Sequence, residues 1–203
     1  MKLHWSPRSP FVRKVLVAAH EAGVADQLGC VRTVVGGTVP HLELMRENPL
    51  GKLPTLVLED GTVIYDSLVI CTYFDTVFAP GILIPTAWPA RLTALRRHAL
   101  GNGMLDICLQ WLGERARPAE RQSPPHIALW QGKIRASVDA LETDALADDA
   151  TDIGHLTIAV ALSYLDFRFA AENWREGHPS LAAWMAKFEQ RPSLRATLPV
   201  DDS

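Results

Sequence analysis

The chain has 203 residues, 48% hydrophobic and 21% charged, with a formal net charge of −3 from 20 basic and 23 acidic side chains. That length fits one large domain or two small ones, either with a real core. The charge is evenly spread, 7 basic against 8 acidic side chains over residues 1–79 and 13 against 15 beyond, which argues against a nucleic-acid or membrane surface.

Three cysteines, Cys30, Cys71 and Cys108, make an odd count with no CxxC pair. A disulfide framework and a zinc site are therefore not expected, each thiol is expected to be a buried small hydrophobe, and the natural compartment is the reducing cytosol. Met1 to Trp5 has no apolar core of a signal peptide behind it, and no apolar run reaches the roughly 20 residues of a membrane span.

In chain order, Lys2 to Trp5 reads as a short strand. A helix is predicted from Pro10 to Ala22, with Ser9 as N-cap, Pro10 at the favoured first position and Gly23 as stop. Cys30 to Val35 is β-branched and strand-like until Gly36-Gly37 breaks it, and a polar segment runs to Asn48. Pro54 to Leu58 and Thr62 to Tyr65 flank the tight turn Glu59-Asp60-Gly61. Asp66 or Ser67 caps a further helix to about Phe78. The order β-α-β-α-β-β-α implies a small sheet with helices on its faces. Residues 80–89, rich in proline, read as a linker, which leaves an α/β domain over 1–79 and an all-helical domain over 90–203. In the latter, a helix is expected from about Ala90 to Glu114. Ile127, Trp130, Ile134, Val138, Leu141 and Ala145 recur at helical spacing, residues 156–170 are apolar nearly all round, and Ser180 to Gln190 fits a shorter helix.

Three features carry chemistry. Ser9-Pro10-Phe11 stands where a strand meets a helix N-terminus, whose open N–H groups and partial positive charge suit an anion or thiolate. Asn48 to Leu56 reads NPLGKLPTL; a cis Leu53–Pro54 bond there would turn the Leu53 backbone outward to pair with an extended peptide. Asp66-Ser67 stands at a second helix N-terminus, suited to a ligand carboxylate, with the Asp66 carboxylate available to an amine. Taken singly, each has an ordinary reading: two helix caps and a trans proline.

Together and in order, SPFVRK, NPLGKLP and YDSLVICTYFD resemble the N-terminal domain of bacterial glutathione S-transferases. ALGNGMLDICLQW, GKIRASVDALE, IAVALSYLDFRF and HPSLAAWMAKFEQRPSLRATLP resemble that family's helical domain, so the likeness spans nearly the whole chain. The resemblance implies a thioredoxin-like N-terminal domain plus an all-α bundle, acting as a cytosolic homodimer without a metal. It implies a serine-type site: Ser9 faces the glutathione sulfur, with Phe11 beside it. Leu53 before cis-Pro54 holds the cysteinyl backbone, Asp66 and Ser67 take the γ-glutamyl end, and Lys52 assists with a carboxylate. His41, Arg46 and Lys52 are all candidates for the glycyl carboxylate, and Asp106 for the γ-glutamyl amine across a dimer interface. Arg13 lies near the site in this likeness but is open to a structural reading. One departure is Asp152 with His155, where the family opens its buried sixth helix with Ser or Thr and an Asp three residues on; His155 reads as structural.

The activity implied is attack of an activated glutathione thiol on a small hydrophobic electrophile, with Ser9 as hydrogen-bond donor rather than nucleophile. An alternative rests the thiolate on the backbone N–H groups of residues 10 and 11. The electrophile pocket is expected along the first long helix, with Leu95, Met104, Cys108 and Trp111 as apolar walls or as core. Other reactions open to the same site are peroxide reduction, isomerisation and dehalogenation; a non-catalytic binding module is the further alternative.

Overall fold

The computed structural model describes residues 1–36 and 39–202, so Gly37, part of the expected strand break, lies outside the described residues. The first third builds a sheet from β1 (Lys2–Trp5), β2 (Gly29–Arg32), β3 (Thr55–Val57) and β4 (Val63–Ile64), in the order β2-β1-β3-β4. Its helices are α1 (Pro10–Glu21), α2 (Leu42–Glu47) and α3 (Ser67–Phe78). β1 and β2 run parallel, with Leu3 opposite Cys30, so a crossover is required, and α1 supplies it. β3 pairs antiparallel with both β1 and β4, Leu56 lying opposite Leu3 and Ile64. The sheet is mixed and four-stranded, as expected for a thioredoxin-like domain.

Local chemistry explains the boundaries. Ser9 is extended, its Oγ accepts from the Val12 N–H at 3.3 Å, and Pro10 opens α1. Gly23 ends the helix at φ +71°, a left-handed conformation that a residue with a Cβ avoids. β2 stops at Arg32, earlier than expected, because its partner β1 ends opposite it at Trp5; the Thr33 N–H still donates to the Trp5 carbonyl at 2.9 Å, and the buried Thr33 hydroxyl lies 2.9 Å from His4 Nδ1. All four β2 residues are exposed on the sheet edge. Cys30 is thus not the buried hydrophobe expected, while Cys71 and Cys108 are buried.

The remainder is helical: α4 (Trp88–Arg115), α5 (Pro124–Glu142), α6 (Ile153–Arg168), α7 (Pro179–Phe188) and α8 (Pro192–Arg195). α6 is buried on every side from Ile153 to Leu162. It approaches α4 so closely that a Cβ on Gly154 would lie 2.6 Å from the Ala94 carbonyl oxygen. α6 is capped by Asp152, whose Oδ1 accepts from Gly154 N at 2.9 Å and His155 N at 3.1 Å. The His155 ring does not return to the backbone as an acidic residue would. Its Nε2 lies 3.3 Å from Arg97 Nη1, which can only donate, so the ring proton sits on Nδ1, 2.9 Å from Asp152 Oδ2. Arg97 in turn pairs with Asp144 at 2.6 Å, so a buried polar chain replaces the usual capping box.

The segment between α3 and α4 is fixed at both sides. Asp75 Oδ1 accepts from the N–H groups of Leu83 (2.8 Å) and Ile84 (3.1 Å), while the Leu83 carbonyl accepts from Ile153 N at 2.7 Å. Buried Arg13 spans the two halves, donating to Ser163 Oγ on α6 and to the Leu194 carbonyl on α8. Its role is therefore structural, and burial pulls its pKa down to about 10. Among the described residues no helix is long and apolar enough to cross a membrane.

Candidate functional site

A cleft of about 640 Å3 opens between the two halves, and Ser9, Phe11, Lys52 and Leu53 line it. A contiguous recess of about 210 Å3 is lined by Phe11, Lys52, Leu53, Pro54, Asp66 and Ser67. The seven expected residues come from a helix N-terminus, a loop and a second helix N-terminus, and the fold brings them to one place.

At Ser9 the donors can be counted. The Ser9 N–H donates to the Ser6 carbonyl at 3.1 Å, and its Oγ accepts from Val12 N, which leaves the hydroxyl proton available to a ligand. Residue 10 is proline and has no N–H, so the backbone alternative loses one of its two donors. The Arg13 N–H bonds the Ser9 carbonyl at 3.0 Å, which leaves the Phe11 N–H as the first-turn amide without an acceptor among the described residues.

The Leu53–Pro54 bond is cis, as is Tyr65–Asp66. Buried Asn48 organises the first of these loops: its Nδ2 donates to the Lys52 carbonyl (3.2 Å) and to Thr55 Oγ1 (2.9 Å), and its Oδ1 accepts from Leu50 N (3.1 Å). Gly51 adopts φ +58° against Met45. Asn48 had no assigned role in the sequence, although an Asn heading a Pro-Gly-Pro loop is the signal for such self-bonding.

Asp66 caps α3, its Oδ1 accepting from Leu68 N at 3.1 Å, and its carboxylate is exposed; Ser67 is buried. Asp106 of α4 faces the same recess within its own chain, held by Asn102 Nδ2 at 3.2 Å. Burial raises the Asp106 pKa, with Lys14 and Lys52 opposing. Lys14, which sequence reasoning passed over, is fully buried beneath this recess. Its ammonium donates to Asn102 Oδ1 at 2.7 Å and to His98 Nε2 at 3.2 Å, and lies 5.3 Å from the Phe11 ring centroid. Burial lowers the Lys14 pKa while Cys71, Asp66 and Asp106 support its charge, and burial together with Lys14 pulls His98 down to about 4. The recess thus presents two carboxylates above a buried cation, beside an open helix N-terminus.

Of the two readings of the α4 residues, the structure bears out the core one: Met104, Cys108 and Trp111 are core and Leu95 packs against it, whereas Leu109, Leu112 and Gly113 line the cleft. Of the three glycyl-carboxylate candidates, Lys52 lines both recesses. His41 spends Nδ1 on capping α2, accepting from Leu44 N at 3.1 Å, and Arg46 is exposed on that helix. Among the described residues no cluster of three or more His, Cys, Asp or Glu is set to hold a metal ion.

The chain is similar to known proteins over nearly its whole length. Residues 8–77 match the glutathione S-transferase N-terminal domain, and residues 124–187 match the glutathione S-transferase C-terminal domain. The uncharacterized GST-like protein YibF of Escherichia coli (strain K12) is 31% identical over 98% of this chain and 98% of its own. A glutathione transferase family member from Pseudomonas fluorescens Pf-5, solved with bound glutathione, is 38% identical and superposes with a TM-score of 0.94, covering 98% of each chain. The same target solved with S-(propanoic acid)-glutathione gives 37% identity and a TM-score of 0.89, over 98% of this chain and all of that one.

Proposed function

Because the chain belongs to the glutathione S-transferase family and is a glutathione transferase, we propose that Ser9 activates the glutathione thiol for attack on a small electrophile held in the interdomain cleft. The observation that carries this reading is the Ser9 hydroxyl at the α1 N-terminus, on the same cleft as the Leu53–cis-Pro54 backbone. Glutathione lies with its cysteinyl backbone along Leu53. Its γ-glutamyl carboxylate sits at the α3 N-terminus near Ser67 and its amine between Asp66 and Asp106. Lys52 takes a remaining carboxylate.

The magnitudes permit this. A thiol of pKa about 8.5 must fall about two units to be mostly thiolate at neutral pH, roughly 2.7 kcal/mol. A helix N-terminus contributes about 0.3–1 kcal/mol, and one hydrogen bond to a charged group about 1.5–3 kcal/mol. The helix alone falls short; the helix with the Ser9 hydroxyl suffices. The thiolate then attacks the electrophile, and the thiol proton leaves to solvent.

In this reading residues 1–79 bind glutathione and 90–203 shape the electrophile pocket. The working unit is a homodimer, a reading supported by exposed Val69 and Val77 on α3 and Trp88 and Leu92 on α4. Free thiols at Cys30, Cys71 and Cys108 suit a cytosolic location. Calorimetric titration with reduced glutathione, on wild type and Ser9→Ala, tests the proposal. Binding at millimolar levels or tighter is expected, with the bound thiol's pKa raised by one unit or more in the variant. An unchanged thiol pKa in Ser9→Ala would remove Ser9 from the mechanism.

A further inference from the structure

We propose that the cleft beside Ser9 is built for an electrophile carrying a carboxylate, which Arg8 and Arg168 bind in competition with the chain's own Asp201-Asp202 segment. This rests on the reading that glutathione is activated at Ser9.

Both arginines line the cleft, whose facing wall of Leu109, Leu112 and Tyr164 is otherwise largely apolar. Besides Lys52 and Asp106, this cleft thus carries two guanidinium groups, which cost desolvation unless an anion pairs with them. The chain supplies a stand-in. Arg8 Nε meets Asp202 Oδ1 at 3.0 Å, Arg168 Nη1 meets Asp201 Oδ2 at 2.5 Å, and Arg32 also pairs with Asp202 at 2.6 Å. Val200 N donates to the Pro7 carbonyl at 3.3 Å, which lays the acidic segment beside the cleft. The ligand class that these guanidinium groups already bind is therefore a carboxylate.

Arg168 is also held in place. It stacks 4.1 Å from the Phe167 ring centroid, and its carbonyl accepts from Arg115 Nη1 at 3.3 Å. The ion pairs to Asp201 and Asp202 are partly exposed, and such pairs are weak enough for a ligand to displace. A carboxylate bound there on a small electrophile leaves its reactive carbon in the cleft that Ser9 shares.

The test uses para-chloro-meta-nitrobenzoate and its neutral carboxamide. The glutathione sulfur attacks the ring carbon bearing chlorine, a C–S bond forms, the C–Cl bond breaks and chloride leaves with the electron pair. Each kcat/KM is normalised to the uncatalysed rate with glutathione, because the two rings differ in intrinsic reactivity. A preference for the benzoate of roughly tenfold is expected, the discrimination that one charge-assisted hydrogen bond supplies. Arg8→Gln and Arg168→Gln should each shrink it, and Asp201→Asn with Asp202→Asn should enlarge it by roughly twofold to fivefold. Turnover of the carboxamide with no preference in wild type, or a preference kept in both arginine variants, overturns the inference and leaves the transferase reading intact. If neither compound reacts and glutathione does not bind, both readings fall.

Discussion

The Lys14 ammonium and the Asn102 side-chain oxygen meet at 2.7 Å across 88 residues of sequence, joining α1 of the first domain to α4 of the second. A fully buried cation depends on such partners, since removing one leaves an ammonium N–H without its acceptor. Asn102→Leu should cost about 1.5–3 kcal/mol by chemical denaturation. Lys14→Met should cost less, because it removes the charge with its need for a partner. Equal costs in the two variants would contradict this account.

His98 gives the same cluster a pH signature. Its folded pKa is pulled to about 4 from an ordinary 6.5. The unfolded chain therefore binds the extra proton between those values, so the contribution to stability is complete above pH 6.5 and is lost as pH falls towards 4. At about 1.4 kcal/mol per unit, the loss is about 3 kcal/mol. Stability profiles of wild type and His98→Gln should converge as pH falls through this window; parallel profiles would refute it.

Gly154 and the Ala94 carbonyl fix the spacing of α4 and α6. Gly154→Ala puts a methyl group 2.6 Å from that backbone oxygen and from Arg97 Cβ. Neither helix can yield without moving the core, so a loss of about 3 kcal/mol is expected by denaturation. Gly103→Ala, whose added Cβ meets nothing within 4 Å, should be neutral or slightly stabilising.

Asp66 caps α3 and, in the proposed site, meets the glutathione amine. Asp66→Asn keeps the capping oxygen and should leave stability within about 0.5 kcal/mol of wild type, while weakening glutathione binding roughly tenfold or more. Asp66→Ala should lose both, including about 1 kcal/mol of stability. Calorimetric titration beside thermal melts separates the two roles; unaltered affinity in both variants would remove Asp66 from the ligand site.

The sequence by itself determined the elements and the residues that terminate them. Ser9, Pro10, Gly23, Gly61, Asp66 and Asp152 act through bonds or dihedrals within a few residues, so their roles are local and legible. The order of the motifs adds the fold, and the expected glutathione residues gather at one cleft.

Tertiary structure alone decided which face of each helix meets what. Arg13 and Lys14 are adjacent charged residues, yet both side chains are buried because other helices arrive over them. Met104, Cys108 and Trp111 share a helix with Leu109 and Leu112, and only the position of α6 makes the first set core and the second a cleft wall. Cys30 is exposed because its strand falls at the sheet edge. The ion pairs of Arg8 and Arg168 with Asp202 and Asp201 likewise join positions far apart in the chain. Periodicity specifies that a helix has a buried face, whereas the partner that buries it is set by packing over long sequence separations, where no local rule of capping or turn chemistry reaches.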